Sequence, residues 1–395
     1  MDTKHVPLSE IATIKGLIGG PFGSSLVNND YMPIGVPVIR GTNLGYGKYL
    51  GGEFAYVSNV KVAQDLARNV AIVGDVVFTQ RGTLGQVAIV PASAFEQYVI
   101  SQSQMRLRVN SSVAFSDYVY YACSSALFQK QVADNAISTG VPHINLGILN
   151  RLTIPLPAVS EQRAIAEVLG ALDDKIAANT KLAEVADEYM SAQFALATRN
   201  KTSRNEGIFD AFEIDFGEPF RGMEFSDEGV GRPLIRIRDL KTFRPQIWTT
   251  EIRSREVVIM PGDVVVGMDA EFRATSWVGD PGLLNQRVCR VRGNEMGNAF
   301  VRESLKQPLA SMENQKSATT VIHLNKSDLT RMSIVRPGKA ELGRFEFETE
   351  PLYRFSVELA QENRTLAATR DALLPQLMSG KLRVRDAEMA VEAVV

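Results

Sequence analysis

Apolar residues follow two rhythms along this chain. The run Val70-Ala71-Ile72-Val73-Gly74-Asp75-Val76-Val77-Phe78 and the stretches 86–91 and 105–109 are short, rich in β-branched residues, and cut by Gly and Pro. They predict a mostly β module over residues 1–157, with one helical stretch over 115–132. After Pro155 and Pro157 the rhythm changes. From 161 to about 196 there is no Pro and a single Gly, Gly170, and Ser160 stands where an N-cap belongs. The apolar positions there fall on a heptad: Ile165, Leu172, Asn179 and Ala186 at one position, Leu169, Ile176, Ala183 and Met190 at the other.

A second heptad follows Glu350, where Leu352, Leu359, Leu366 and Leu373 recur every seven residues, with Asn363 between them and Leu377 at the end. Two such helices, one behind each β stretch, predict an intramolecular antiparallel coiled coil in which a buried Asn179 fixes the register. The polar stretch 200–206 reads as a linker. A second β module then runs from about 207 to 337, with strands at 234–237, 264–266 and 287–291. The tail after Arg385 is expected to fray. The predicted domains are therefore 1–157, a helix and linker over 158–203, a second module over 204–342, and a second helix with tail over 343–395. The fold class is α/β (α+β).

The two modules repeat one another. His143-Ile144-Asn145-Leu146 through Arg151, Ile154 and Pro157 returns, at constant spacing, as His323-Leu324-Asn325-Lys326 through Arg331, Ile334 and Pro337. Pro37-Val38-Ile39-Arg40 returns as Pro233-Leu234-Ile235-Arg236, Gly74-Asp75-Val76-Val77 as Gly262-Asp263-Val264-Val265, and Gln104 as Gln286. Units this long are not solenoid repeats. Two similar but diverged modules predict one task performed at two places.

Composition narrows the class. Hydrophobic residues make up 45% and charged residues 22% of 395 residues, as in ordinary globular proteins. No leader or apolar run of membrane-spanning length is read, and a cytoplasmic location is expected. Two Cys and three His offer neither a disulfide framework nor metal-ligand spacing. A net charge of −2 argues against strong unaided binding of phosphate.

Gly47-Lys48-Tyr49 is no phosphate loop, and no Rossmann glycine pattern opens a helix. Asp173-Asp174-Lys175 has the residue types of a nuclease site but falls inside the first heptad, where a solvated charged face is expected. His143 and His323 are expected to make structural hydrogen bonds. DNA contact calls instead for Arg, Asn, Gln and Thr on loops, because bidentate pairs read base edges in the major groove. Such loops hold Arg40, Thr42, Asn43, Gln80, Arg81 and Thr83 in the first module. The second module offers Arg236, Arg238, Asp269, Phe272, Arg273 and Thr275.

In this order along the chain stand Gly74-Asp75, Gly82-Thr83-Leu84-Gly85 and Ile154-Pro155-Leu156-Pro157 leading to Glu161-Gln162. Gly267-Met268-Asp269-Ala270-Glu271-Phe272, Leu284-Asn285-Gln286-Arg287-Val288 and Leu373-Leu374-Pro375-Gln376-Leu377 follow. The ordered set resembles the specificity subunit of type I restriction-modification systems, over nearly the whole chain. That resemblance implies a subunit with no catalysis and no cofactor of its own. Each module would read one half of a split, asymmetric site on double-stranded DNA. The helices would hold the modules apart and bind two methyltransferase subunits, which restriction subunits join. A first helix of roughly 55 Å at 1.5 Å per residue would span successive major grooves, ~34–36 Å apart. A stand-alone methyltransferase or nuclease, or a scaffold without DNA, is the alternative. The second module departs from the family pattern by having Arg336-Pro337-Gly338 in place of the Leu-Pro…Glu-Gln step.

Overall fold

The computed structural model describes every residue except 1–3, 46, 94, 139, 270, 317–321, 393 and 395. The chain divides into two compact units, Met1–Ile176 with Thr365–Val395, and Ala177–Arg364. Two helices of 40 residues, Val159–Thr198 and Lys339–Met378, contribute to both.

Unit 1 is built on three sheets. The innermost has the strand Gln104–Val109 between Ala12–Gly19 and Val76–Thr79, with Val87–Ile89 at its edge, all antiparallel. A five-stranded sheet pairs Val36–Ile39 in parallel with Tyr98–Ile100. A two-stranded ladder joins His5–Pro7 to Thr153–Pro155 and so brings the start and end of the β module together. Unit 2 repeats all three in the same order. Its four-stranded sheet runs Phe212–Phe216, Val288–Gly293, Val264–Gly267, Ala274–Ser276, and its closing ladder pairs Arg204–Gly207 with Ser333–Arg336. The strands Val76–Thr79 and Val264–Gly267 are buried at every position, which is why they read as continuous apolar runs rather than alternating ones.

The repeated His-x-Asn segment has a local physical meaning. Asn145 accepts the backbone N–H of Ile148 at 2.9 Å and Asn325 that of Asp328 at 3.0 Å. Each therefore caps a short helix, Leu146–Arg151 or Lys326–Arg331, that delivers the chain to its closing strand. Glycine is required where strands crowd. A Cβ on Gly20 would lie 2.0 Å from the Ser101 carbonyl oxygen, and one on Gly217 would lie 2.1 Å from that of Asn285.

Several expected boundaries move. The predicted helix 115–132 is two helices, Ser116–Ser124 and Ala126–Asp134, because Ser125 adopts an extended conformation and caps the second. Ser160 lies inside the long helix, which starts at Val159. That start is locked by Gln162, whose buried side-chain amide accepts from Phe115 N and donates to the Pro157 carbonyl, both at 2.9 Å. The second long helix begins at Lys339, well before Glu350, directly behind Gly338. There the buried side chain of Leu342 takes the place of the amide clamp. The later part of the polar linker is strand, since Arg204 pairs with Arg336 and Arg336 reaches Glu206 at 3.1 Å. The tail does not fray as expected: Val384–Glu392 is helical, and Ala387 and Val391 are buried in the unit 1 core. Gln104 opens its strand, whereas Gln286 lies before the equivalent strand and is exposed, so the true counterpart of Gln104 is Val288.

The heptad residues behave as core. In unit 1, Ile165, Leu169 and Leu172 share a cluster with Leu366 and Leu373, and Ile176 packs at its margin. In unit 2, Asn179 is buried and donates to Glu362 at 2.7 Å, Asn363 donates to Thr180 at 3.2 Å, and Leu359 is buried with Leu352 half-buried. Tyr189 meets Glu348 and Asn200 meets Glu341, so within unit 2 the helical segments run antiparallel. Among the described residues no helix is long and apolar enough to cross a membrane.

Candidate nucleic-acid interface

In both units the loop after the first strand of the parallel pair is built on one buried side chain. Asn43 is fully buried; it accepts from Arg40 N at 2.9 Å and donates to the Gly51 and Glu53 carbonyls, each at 3.0 Å. Asp239 occupies the same position in unit 2, accepting from Arg236 N at 2.9 Å with the Arg236 guanidinium 3.5 Å away. Burial pushes the Asp239 carboxyl above its ordinary range, against the pull of that N–H and guanidinium. Asn43 thus leaves the set of base-reading candidates, because its amide is consumed in holding the loop. Asn43→Ala should destabilise unit 1 by about 1–3 kcal/mol, read as a lower urea midpoint at unchanged slope.

The turns after Val76–Thr79 and Val264–Gly267 are the second component. Arg81 and Asp269 sit at equivalent points, each bridged antiparallel to a repeated histidine, Arg81 to His143 and Asp269 to His323. The imidazole of His323 meets Asp269 at 2.5 Å, and that of His143 faces the Val141 carbonyl at 3.1 Å. The histidines therefore pin loops. Thr42, Arg81 and Thr83 are exposed, and Gln80 and Arg40 are half-buried. In unit 2, Arg238, Asp269, Arg273 and Thr275 line one cleft of about 590 Å³, together with Lys241 and Glu271. Arg236 lies outside that lining. Phe272 is buried in the core and cannot stack on a base; its backbone N–H is held by Glu313 at 2.9 Å. Ala270 of this turn lies outside the described residues. Lys241 was missed by the sequence reading because it lies in no repeated motif, and Glu271 stood in a quoted motif without being singled out. Only the turn following Leu240 brings Lys241 within 3.6 Å of Glu271.

The charged triplet of the first long helix is a correction. Asp173 is buried rather than solvated, receives the Tyr121 hydroxyl at 2.7 Å, and pairs with Arg370 at 2.6 Å. Burial, with Asp173 beside it, drives the Tyr121 hydroxyl far above its usual range. The side chain fastens the two helical segments of unit 1. Among the described residues no group of three or more His, Cys, Asp or Glu could hold a metal ion.

Residues 2–187 match the model of the type I restriction modification DNA specificity domain. This stretch belongs to that family. The specificity domain is followed by a second copy of its sheets, and over its length the chain resembles type I specificity subunits. It is 29% identical to the specificity subunit of the type I restriction enzyme EcoBI of Escherichia coli, over 46% of this chain and 40% of that relative. It is 20% identical to the MjaIX specificity subunit of Methanocaldococcus jannaschii over 85% of each. The crystal structure of the type I S subunit from M. genitalium has the same fold, with TM-score 0.60 and 16% identity over 95% of this chain and 96% of that one.

Proposed function

We propose that the chain is the DNA-reading subunit of a type I restriction-modification enzyme, each unit reading one half of a bipartite, asymmetric site. The supporting observation is the pair of equivalent loops on one repeated fold with opposite chemistry. Arg81 and Asp269 stand at the same backbone bridge. An arginine there donates two parallel hydrogen bonds, as guanine O6 and N7 accept, and a carboxylate accepts from cytosine N4. The two halves of the target therefore differ. Near-neutral net charge fits a subunit whose partners neutralise much of the DNA backbone.

The helices offer docking surface. In unit 2, Leu182, Val185 and Tyr189 form an exposed stripe on the first helix, and Phe347 and Phe355 are exposed on the second. An apolar surface of this kind suits methyltransferase subunits, with restriction subunits joining that complex. The chain itself reads and positions; the methyl transfer and cleavage belong to partners. Purified alone, it should neither methylate nor cut DNA.

The loop assignment is tested by Arg238→Ala with Arg273→Ala in the unit 2 cleft. Each change should cost about 1–3 kcal/mol of specific binding and relax the sequence requirement in one half-site only. Methylation mapping in cells carrying the variant reads this directly. Unchanged specificity in both halves would sink the assignment of the cleft.

A further inference from the structure

The central strands of the two four-stranded sheets carry matched arginines whose surroundings differ in charge. Arg106 and Arg290 occupy the same register, paired with Val77 and Val265. In unit 2 the arginines are neutralised. Arg290 meets Asp215 at 2.8 Å and Asp263 at 3.4 Å, and Arg292 meets Glu213 at 3.0 Å and Asp215 at 3.1 Å. In unit 1 the residue opposite Arg106 is Ile18, where Asp215 faces Arg290, and the strand Ala12–Gly19 carries Lys15 and no acid. Asp75, the counterpart of Asp263, is taken up by Arg108 through two hydrogen bonds of 2.9 and 2.7 Å. Arg106 reaches Asp75 by one nitrogen at 3.5 Å; it is 3% exposed, and its buried Nε has no hydrogen-bond partner among the described residues.

These arginines border a cavity of about 620 Å³ lined also by Lys15, Arg68, Asn59 and Gln97, with no carboxylate among the described residues of its wall. Four cations thus border one hollow; the unpartnered Nε is shared with Arg292 of unit 2, so what separates the units is the acid pairing, present around Arg290 and Arg292 and thin around Arg106. The fork of a guanidinium matches the oxygens of a phosphate. Burial lowers the Arg106 pKa against the pull of Asp75, with Arg108 close by adding to the lowering, and a bound anion would share the compensation that Asp75 divides between two arginines.

We propose that this cavity is a phosphate-binding site of unit 1 that unit 2, with Asp215 and Glu213 in place, does not possess. Resting on the DNA-reading function, the phosphate is a backbone phosphate flanking the first half-site; a phosphate-bearing small molecule is the other source of the same chemistry.

The test uses the full chain, and its DNA-binding complex, with Lys15→Asn and Arg68→Gln combined. Both residues are exposed, and Asn tolerates the φ of 58° at position 15, so folding should be retained, checked by an unchanged melting midpoint. Arg292→Gln in unit 2 is the control. Inorganic pyrophosphate, titrated calorimetrically at fixed ionic strength, should bind the natural chain and the control alike, and the double variant at least tenfold more weakly. The slope of log affinity for DNA against log salt should become shallower by about 2 in the double variant, roughly one for each cation withdrawn from a phosphate. A changed slope assigns the site to the DNA backbone. Lost pyrophosphate binding with an unchanged slope assigns it to a free phosphate ligand. The proposal is overturned if neither readout moves, or if the control loses as much as the double variant. Failure of the complex to bind DNA at all would count against the reading function, while the pyrophosphate titration would still decide the site.

Discussion

Leu366→Asp should unfold unit 1 or leave it barely stable. Leu366 is fully buried among Leu169, Leu172 and Leu373, where the second long helix meets the first. A carboxylate there enters an apolar cluster, and Arg370, one turn on along the same helix, is already paired with Asp173 and Asp371, so either the charge or the protonated acid must be buried largely against hydrocarbon. The change also removes a leucine side chain, worth about 2–5 kcal/mol by itself. The combined loss, about 5 kcal/mol or more, is comparable with the whole stability of many domains, about 5–15 kcal/mol. Leu366→Ala separates the two contributions, since it keeps only the cavity. Denaturant melts and co-purification with the proposed methyltransferase partner are the measurements. An aspartate variant that melts and assembles like the natural chain would refute the packing of these two helical segments in unit 1.

Exchanging residues 1–157 for the first module of another family member should change one half of the DNA target completely and leave the other untouched. The cut falls behind the ladder His5–Pro7 with Thr153–Pro155, so no sheet of the module is divided. What must be kept compatible includes the clamp of Gln162 on Phe115 N, Val113 O and Pro157 O and the Tyr121 hydroxyl on Asp173, because both cross the junction. A donor lacking partners for that amide would strand a buried polar group, at about 1–3 kcal/mol. Sequencing of methylated sites from cells carrying the chimera reads both halves at once. If both halves changed together, the two units would not read independently.

The strands and the helix pair were legible because their signals are local and periodic: continuous Val runs for buried strands, a seven-residue recurrence for the helices. The second helix was placed too late because its first turns, beginning at Lys339, are rich in Glu and Arg and the heptad becomes visible only at Leu352. The tail was misjudged for a similar reason. Ala387 and Val391 are few and small, and only the core cluster that receives them reveals their role. The candidate interface was half legible. Loop arginines and threonines could be picked out by type, but nothing in the spacing of Asn43 distinguishes an amide that reads DNA from one that caps a turn. The unit 1 cavity was invisible, since it depends on which residue lies across the sheet from Arg106, and strand register is not written in either strand alone.

The pairing of Arg204–Gly207 with Ser333–Arg336 bears on how such a chain tolerates change in length. The first long helix ends at Thr198 and the second starts at Lys339, and Asn200 meets Glu341 at 3.1 Å beside that ladder. Everything between is, for the two helices, a detour that leaves and returns one strand spacing apart, roughly 5 Å. Insertions or deletions inside the detour leave the positions of its ends unchanged. The offset between the two copies varies along the chain while the helices keep the same length of 40 residues, as expected if growth and trimming are absorbed within the β modules and never passed on to the frame that carries them.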